Sequence, residues 1–117
     1  MAKYDIAIIG GGPGGYVAAI RAAQLGQSVV LIEQERVGGL CLNWGCIPSK
    51  SLLWNAEVVN LVRDGATYGI SFDNLQISMA KAIDRSRQIV DQMVKGVEFL
   101  LSKNGVRTII GEASFVN

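Results

Sequence analysis

The sequence contains no histidine, and its two cysteines and two prolines are few for 117 residues. A chain without histidine lacks the side chain that most often acts as a base near neutral pH and one of the commonest metal ligands. Its eleven basic and ten acidic residues nearly cancel and are scattered, so no nucleic-acid surface is indicated. It has neither an apolar run long enough to span a membrane nor a signal-peptide pattern. We therefore expect a cytoplasmic protein that acts on small molecules and contacts neither nucleic acid nor membrane.

What the sequence does have is an alternation of apolar runs and helical stretches, which is typical of a single α/β domain. Residues 4–9 and 28–33 are short runs rich in β-branched residues, and the alanine-rich residues 16–25 between them end on Gly26 as a helix does. A strand, a helix and a strand within about thirty residues form a βαβ unit with parallel, buried strands. Residues 107–110 predict a third strand, and no linker marks an internal domain boundary.

Two further helices are predicted between the second and third strands. One covers residues 41–62, and Gly45 and Pro48 should disturb its first turns. The other covers residues 75–103, where apolar residues recur at helical spacing; we expect them to face the core rather than to bind a partner. These apolar residues are Met79, Ile83, Val90, Val94, Val97 and Leu101.

The stretch GGGPGG, residues 10–15, follows the first predicted strand and opens the first predicted helix. Gly10, Gly12 and Gly15 stand in the spacing of a dinucleotide-binding loop. The first glycine allows a tight turn, the second lets a pyrophosphate approach the backbone, and the third lets helix and strand pack closely. The amides and the positive dipole end of the helix can then hold phosphates without a dedicated cation.

An acidic residue supports this interpretation over that of a plain glycine-rich loop. Glu33 ends the second predicted strand, 23 residues after Gly10, where a carboxylate can accept hydrogen bonds from the hydroxyls of a ribose. A carboxylate there also disfavours a 2′-phosphate. The loop does not distinguish FAD from NAD, because the two share the ADP half that it binds.

The two cysteines, Cys41 and Cys46, are five positions apart. On an undistorted helix their Cα atoms would be roughly 8.7 Å apart, beyond the limit of about 7 Å for a disulfide. A bond between them therefore requires irregular backbone, which Gly45 and Pro48 can supply. Such a short loop would stabilise the fold by only about 2 kcal/mol, so redox exchange is a stronger reason for the bridge than stapling. A metal site is disfavoured, because two thiolates without histidine make half a tetrahedral set.

The stretch GGLCLNWGCIPSK, residues 38–50, resembles the redox-active site of the FAD-dependent pyridine nucleotide-disulfide oxidoreductases. The resemblance extends over the whole chain, from the glycines of residues 10–15 through Glu33 to the terminal GEASFVN. Within the family, Leu42 and Ile47 are most similar to members that act on lipoamide, whereas glutathione and mercuric reductases usually carry CVN and CVP. The implied fold is a Rossmann-like FAD-binding domain with a parallel sheet, incomplete in this chain.

The resemblance also implies roles for individual residues. Cys41 should be the thiol that exchanges with the substrate, Cys46 the thiolate that faces the flavin, and Lys50 the fixed positive charge beside the flavin ring. The alternative for Lys50, a solvated helix lysine, is the less favoured one. Ala113 replaces the second glycine of a G-x-G pattern that the family often has, a mild departure for a backbone contact. The implied cofactor-binding residues are Gly10, Gly12, Pro13, Gly14, Gly15, Glu33, Gln34, Gly38, Gly39, Cys41, Cys46, Lys50 and Ala113.

Two functional features that the family has do not occur in residues 1–117. There is no second G-x-G-x-x-G for NAD, and no histidine to act as the base that the family takes from the partner subunit's C-terminal domain. We therefore interpret the chain as the N-terminal part of the FAD-binding domain, with the NAD and dimerisation domains absent, and expect it to be inactive alone. The resemblance implies that the full-length enzyme is a homodimer serving the lipoyl domains of 2-oxoacid dehydrogenase complexes or the glycine cleavage system.

Three alternatives remain open on the sequence. A related flavin disulfide reductase acting on glutathione or mercuric ion would share nearly all of these features. A flavin oxygenase or oxidase would keep the glycine loop but would not need the cysteines. A noncatalytic dinucleotide-binding module would use the cysteines structurally. Trp44 and Trp54 are expected to pack in the protein rather than to act at a site.

Overall fold

The computed structural model describes residues 3–116 of the chain. Three strands and four helices follow one another, with a short 3₁₀ turn at Gly65–Tyr68: β1 (Ile6–Ile9), α1 (Pro13–Gln24), β2 (Val29–Glu33), α2 (Gly39–Asn43), α3 (Cys46–Arg63), α4 (Met79–Lys103) and β3 (Arg107–Ile110).

The three strands form one parallel sheet in the order β1-β2-β3, which confirms the predicted βαβ unit. Ile9 pairs with Ile32, and Glu33 pairs with Ile110. The backbone N–H of Gly111 then donates to the carbonyl of Glu33 at 2.8 Å. The carboxyl ends of all three strands therefore lie along one edge of the sheet, where α/β proteins usually bind ligands.

The core lies between the sheet and the helices α1 and α4. Both helices contact the central strand β2 or its neighbours on one face, and they also contact each other. The innermost side chains are Ala19, Leu31, Val90, Val94 and Leu101, all nearly inaccessible to solvent. The central strand β2 is buried as predicted, whereas the prediction is wrong for β1, whose side chains alternate between partly buried and exposed, and β3 is mostly exposed as well.

The helices α3 and α4 pair along much of their length and extend beyond the sheet, so the chain measures 66 × 26 × 17 Å. The core prediction for α4 holds from Val90 onward, where the helix joins the core cluster, and is wrong for Met79 and Ile83, which are exposed. The helix also begins later than predicted, after Ser78, whose hydroxyl caps it by accepting from the N–H of Lys81. None of the helices within residues 3–116 is long and apolar enough to cross a membrane.

Candidate functional site

The loop between β1 and α1 has the backbone that its glycines predict. Gly10 adopts a φ of +96°, a conformation that residues with a Cβ rarely adopt. A Cβ added at Gly15 would overlap the carbonyl oxygen of Gly10. The first glycine therefore makes the turn, and the third allows α1 to start directly against the end of β1.

The N-terminus of α1 is open to an anionic ligand. Gly12 is the N-cap residue, Pro13 follows as the first helical residue, and no side chain of the described residues caps the helix or places an acid in its first turn. A Cβ added at Gly14 would meet no atom within 4 Å. The amides and the dipole at the start of this twelve-residue helix are thus not capped by a side chain of the described residues, as phosphate binding requires.

A groove of about 350 Å³ lies at the carboxyl ends of the three strands. It gathers four of the predicted cofactor residues, Gly10, Glu33, Gln34 and Ala113, although they are far apart in the sequence. Its remaining lining residues are Ile9, Ile32, Gly111 and Glu112. Apolar walls from the strand ends, with a carboxylate among them, suit a nucleoside.

The carboxylate of Glu33 is held by the backbone on both sides. Its Oε2 accepts a hydrogen bond from the N–H of Gly11 at 2.7 Å, and its Oε1 accepts one from the N–H of Glu35 at 3.0 Å. A carboxylate can accept about four hydrogen bonds, so this orientation leaves acceptor sites for ribose hydroxyls. Gly11 is not among the predicted cofactor residues, yet a Cβ there would lie 3.1 Å from this carboxylate and 3.2 Å from the side chain of Val37.

Gly38 and Gly39 bring the next loop against the glycine loop. Both have positive φ, +102° and +57°, and the N–H of Gly38 donates to the carbonyl of Gly11 at 2.7 Å. A Cβ added at Gly39 would lie 2.7 Å from the Cα of Gly12. Gly38 and Gly39, which are among the implied cofactor-binding residues, thus allow close contact between the two loops.

Cys41 and Cys46 form a disulfide, with their Cα atoms 4.6 Å apart. The predicted helix over residues 41–62 is in fact two helices, because α2 ends at Asn43 and α3 starts at Cys46, with Gly45 between them at φ −125° and ψ −107°. The irregular backbone that the bridge requires is thus supplied by Gly45. The prediction that Pro48 disturbs the helix is wrong. Pro48 lies in the first turn of α3, where an amide donor is not needed.

The disulfide is accessible to a reacting thiol. Cys46, the first residue of the eighteen-residue helix α3, is exposed, and Cys41 is half-buried. A thiolate released at Cys46 would lie at the positive end of the helix dipole, which stabilises it. Lys50 is exposed one helical turn further along α3. Trp44 and Trp54 are also more than half exposed. The prediction that these two side chains pack in the protein is therefore wrong for the described residues.

Asn43 is a polar residue of this region that is not among the predicted site residues. It is the last residue of α2 and is only 2% exposed. Its side-chain amide donates to the carbonyls of Val37 at 3.1 Å and Gly39 at 3.0 Å. An asparagine between two cysteines gives no signal of burial in the sequence, because asparagine is usually exposed.

Two other features of the described residues bear on the site. No group of three or more His, Cys, Asp or Glu side chains that could hold a metal occurs among them. A larger groove, of about 660 Å³, lies between α3 and α4 and is lined mainly by apolar residues, among them Leu52, Val59, Ile77 and Met79. None of the predicted cofactor residues lines it.

The groove, the open helix end and the two touching glycine loops together define a dinucleotide-binding α/β domain that carries an accessible disulfide. The chain belongs to the pyridine nucleotide-disulphide oxidoreductase family, whose model matches residues 4–117. This assignment confirms the fold class and the family resemblance.

Individual relatives agree with the family assignment. The chain is 46% identical over 112 residues to a dihydrolipoyl dehydrogenase of Chlorobaculum tepidum, covering 96% of this chain and 24% of that protein. It is 32% identical to the flavoprotein disulfide reductase RclA of Escherichia coli, with a TM-score of 0.75, covering 100% of this chain and 23% of RclA. LpdA of Mycobacterium tuberculosis, 24% identical over 95% of this chain and 24% of its own, has the same fold, with a TM-score of 0.86. The chain thus spans about a quarter of the length of these proteins.

Proposed function

We propose that this chain is the N-terminal, FAD-binding and disulfide-bearing part of a dihydrolipoyl dehydrogenase. The full-length enzyme would oxidise protein-bound dihydrolipoamide to lipoamide and reduce NAD⁺ to NADH. The observation that carries the proposal is the Cys41–Cys46 disulfide, which spans the break between α2 and α3 at the start of a helix. The 46% identity to the Chlorobaculum enzyme supports the choice of substrate.

The proposed FAD site extends from the strand ends to the disulfide. The ADP half would occupy the groove beside Glu33, Gln34 and Ala113, with its ribose on the Glu33 carboxylate. The pyrophosphate would lie on the open N-terminus of α1, and Gly38 and Gly39 would approach it from the second loop. Continuing past this loop, the flavin would meet the bridge and the ammonium group of Lys50.

The proposed reaction on this chain is a thiol–disulfide exchange. One thiolate of the substrate attacks the sulfur of Cys41, the S–S bond breaks, and Cys46 leaves as a thiolate at the N-terminus of α3. The second substrate thiolate then displaces Cys41, so that lipoamide departs as a cyclic disulfide and the chain holds two reduced sulfurs. FAD, when bound, would supply the acceptor for this electron pair, with NAD⁺ as the final oxidant.

The remaining parts of the proposal concern the full-length protein. The NAD site, and the base that manages the substrate protons, would lie outside residues 1–117, since the chain has no histidine and one glycine fingerprint. A cytoplasmic homodimer serving the lipoyl domains of 2-oxoacid dehydrogenase complexes or the glycine cleavage system is proposed from the kind of relatives found. A reducing compartment also suits a bridge that must open in each cycle.

Exchanging each cysteine in turn tests the proposal in the full-length enzyme. If Cys46 is the sulfur that faces the flavin, Cys46→Ser should abolish the long-wavelength thiolate-to-flavin absorption band while the protein stays yellow. Cys41→Ser is the matched control: it leaves Cys46 as a free thiolate, so the band should be present even without a reductant. Both variants should lose turnover with dihydrolipoamide. A band that persists in Cys46→Ser would reverse the assignment of the two sulfurs, and a colourless wild-type protein would refute the flavin site.

A second candidate is a related flavin disulfide reductase with another substrate, which the 32% identity to RclA over this whole chain favours. It would share the disulfide and the FAD site and would differ in what reacts with Cys41. Comparing turnover of the full-length enzyme with dihydrolipoamide, oxidised glutathione and mercuric ion separates the two candidates. Activity with dihydrolipoamide alone is the expected result.

A further inference from the structure

Asn43 occupies an unusual position for a polar side chain. It is almost fully buried, and its Nδ2 donates to the carbonyls of Val37 and Gly39, which flank the left-handed turn before α2. Turning the amide round would place Oδ1 against these two carbonyl oxygens, so the hydrogen bonds fix its orientation. The side chain therefore clamps the loop that precedes it.

The backbone of Asn43 is held from another side. Its carbonyl oxygen accepts a hydrogen bond from Nη1 of Arg87, on α4, at 3.0 Å. The helix α2 has only five residues, too few to be stable by its own hydrogen bonds. The position of this short helix, which carries Cys41, thus depends on contacts at Asn43.

The clamp connects the glycine loop to the disulfide. The loop that Asn43 holds is itself bonded to the glycine loop through the N–H of Gly38 and the carbonyl of Gly11, at 2.7 Å. On the other side, Asn43 lies between the two bridged cysteines in the chain. These hydrogen bonds, joined by the backbone of residues 37–39, therefore link the glycine loop to the chain segment that carries the two cysteines.

Asn43 is poorly arranged if its role is stability alone. Its Oδ1 is buried and has no hydrogen-bond partner among the described residues. A buried acceptor without a partner opposes folding, and this offsets part of what the two donated bonds contribute. The net contribution of the side chain to stability should accordingly be small, while its geometric constraint on the loop remains.

We propose that Asn43, supported by Arg87, is a positioning residue that fixes the Cys41–Cys46 bridge relative to the dinucleotide-binding loop. The inference rests on the proposed function, because it is the distance and angle between the sulfur of Cys46 and the flavin that Asn43 would set. Displacements of about 1 Å at a reacting centre can lower rates on the order of 100-fold. Loss of the clamp should therefore impair the sulfur-to-flavin step more than the binding of FAD.

The test uses the full-length holoenzyme with Asn43→Leu, which keeps the side-chain size and removes both donors. After reduction by a dithiol, the long-wavelength absorption band per bound flavin should be weaker, and turnover per bound flavin should fall roughly 10- to 100-fold. Asn43→Asp, nearly identical in shape but unable to donate as a carboxylate, should not restore either quantity. Asn60→Leu, an exposed asparagine on α3, is the matched control and should leave both unchanged.

Normalising to bound flavin distinguishes positioning from a merely structural role, which would lower flavin content and melting temperature only. Arg87→Met, at an exposed position, gives a second test that can be used if the Asn43 variants fail to fold. This variant should also weaken the absorption band per bound flavin. The inference would be overturned if Asn43→Leu showed the wild-type band and the wild-type turnover per bound flavin. If Asn43→Leu does not fold, the same result in Arg87→Met would overturn it. Failure of the proposed function would be distinct, because the wild-type protein itself would then bind no flavin or show no band.

Discussion

A methyl group at Gly15 tests the packing of the glycine loop most directly. The added Cβ of Gly15→Ala would overlap the carbonyl oxygen of Gly10 and lie 3.0 Å from its carbonyl carbon. The obstacle is backbone at the end of β1, not the end of a flexible side chain. The N-terminus of α1 would therefore have to move away from the strand, and with it the amides that face the proposed pyrophosphate.

The magnitude follows from two opposing effects. Overpacking costs about 1–3 kcal/mol, and contact with rigid backbone places this case near 3 kcal/mol. Replacing a helical glycine by alanine returns at most about 1 kcal/mol. The net destabilisation should then be about 2 kcal/mol, a factor of roughly 30 in the folding equilibrium.

Urea denaturation of the full-length protein, followed by circular dichroism and flavin release, measures this change. Gly96→Ala is the matched control, since Gly96 lies within α4 and an added Cβ there meets nothing within 4 Å. It should raise stability by up to about 1 kcal/mol and leave flavin content unchanged, whereas Gly15→Ala should lower both. Equal or higher stability of Gly15→Ala, with full flavin content, would refute the packing argument.

Two further predictions concern stability alone. Leu101→Ala removes a core side chain that is 1% exposed and should lower the free energy of unfolding by about 2–5 kcal/mol. Leu100→Ala, at a position 44% exposed, should lower it much less. Similar denaturation midpoints for the two variants would contradict the assignment of the α4 core face. The ion pair between Arg36 and Asp91, 2.7 Å apart and half-exposed on both sides, should contribute less than about 1 kcal/mol. A double-mutant cycle should find that even this disappears near 1 M salt, and a larger, salt-independent coupling would show that the pair is not a surface interaction.

Local sequence was sufficient to predict the elements that meet the glycine loop. The βαβ unit is confirmed because short β-branched runs and a glycine-started helix restrict the backbone locally. The need for irregular backbone between Cys41 and Cys46 was also predictable, since helix geometry alone forbids the bond. The residue that supplies this irregular backbone was not predictable, because Gly45 separates two helices while Pro48 fits inside the second.

The predictions that failed depend on what surrounds a helix. The periodicity of α4 is continuous, but the helix joins the core cluster only from Val90 onward, and Met79 is exposed. Trp44 and Trp54 are predicted to pack because of their residue type, yet both are more than half exposed. A hydrophobic pattern predicts which face of a helix is apolar, but it does not predict how much of that face another element covers.

The sequence by itself determined the backbone of the dinucleotide loop, the parallel sheet and the requirement for a kink at the cysteines, because each depends on the steric properties of residues that are neighbours in the chain. The tertiary structure alone decided that Ala113 joins Glu33 in one groove, that Glu33 bonds to Gly11, and that Asn43 is buried between a loop and α4. These contacts join residues distant in sequence or unremarkable in type, and they arise only when the crossover connections bring the strand ends and loops together.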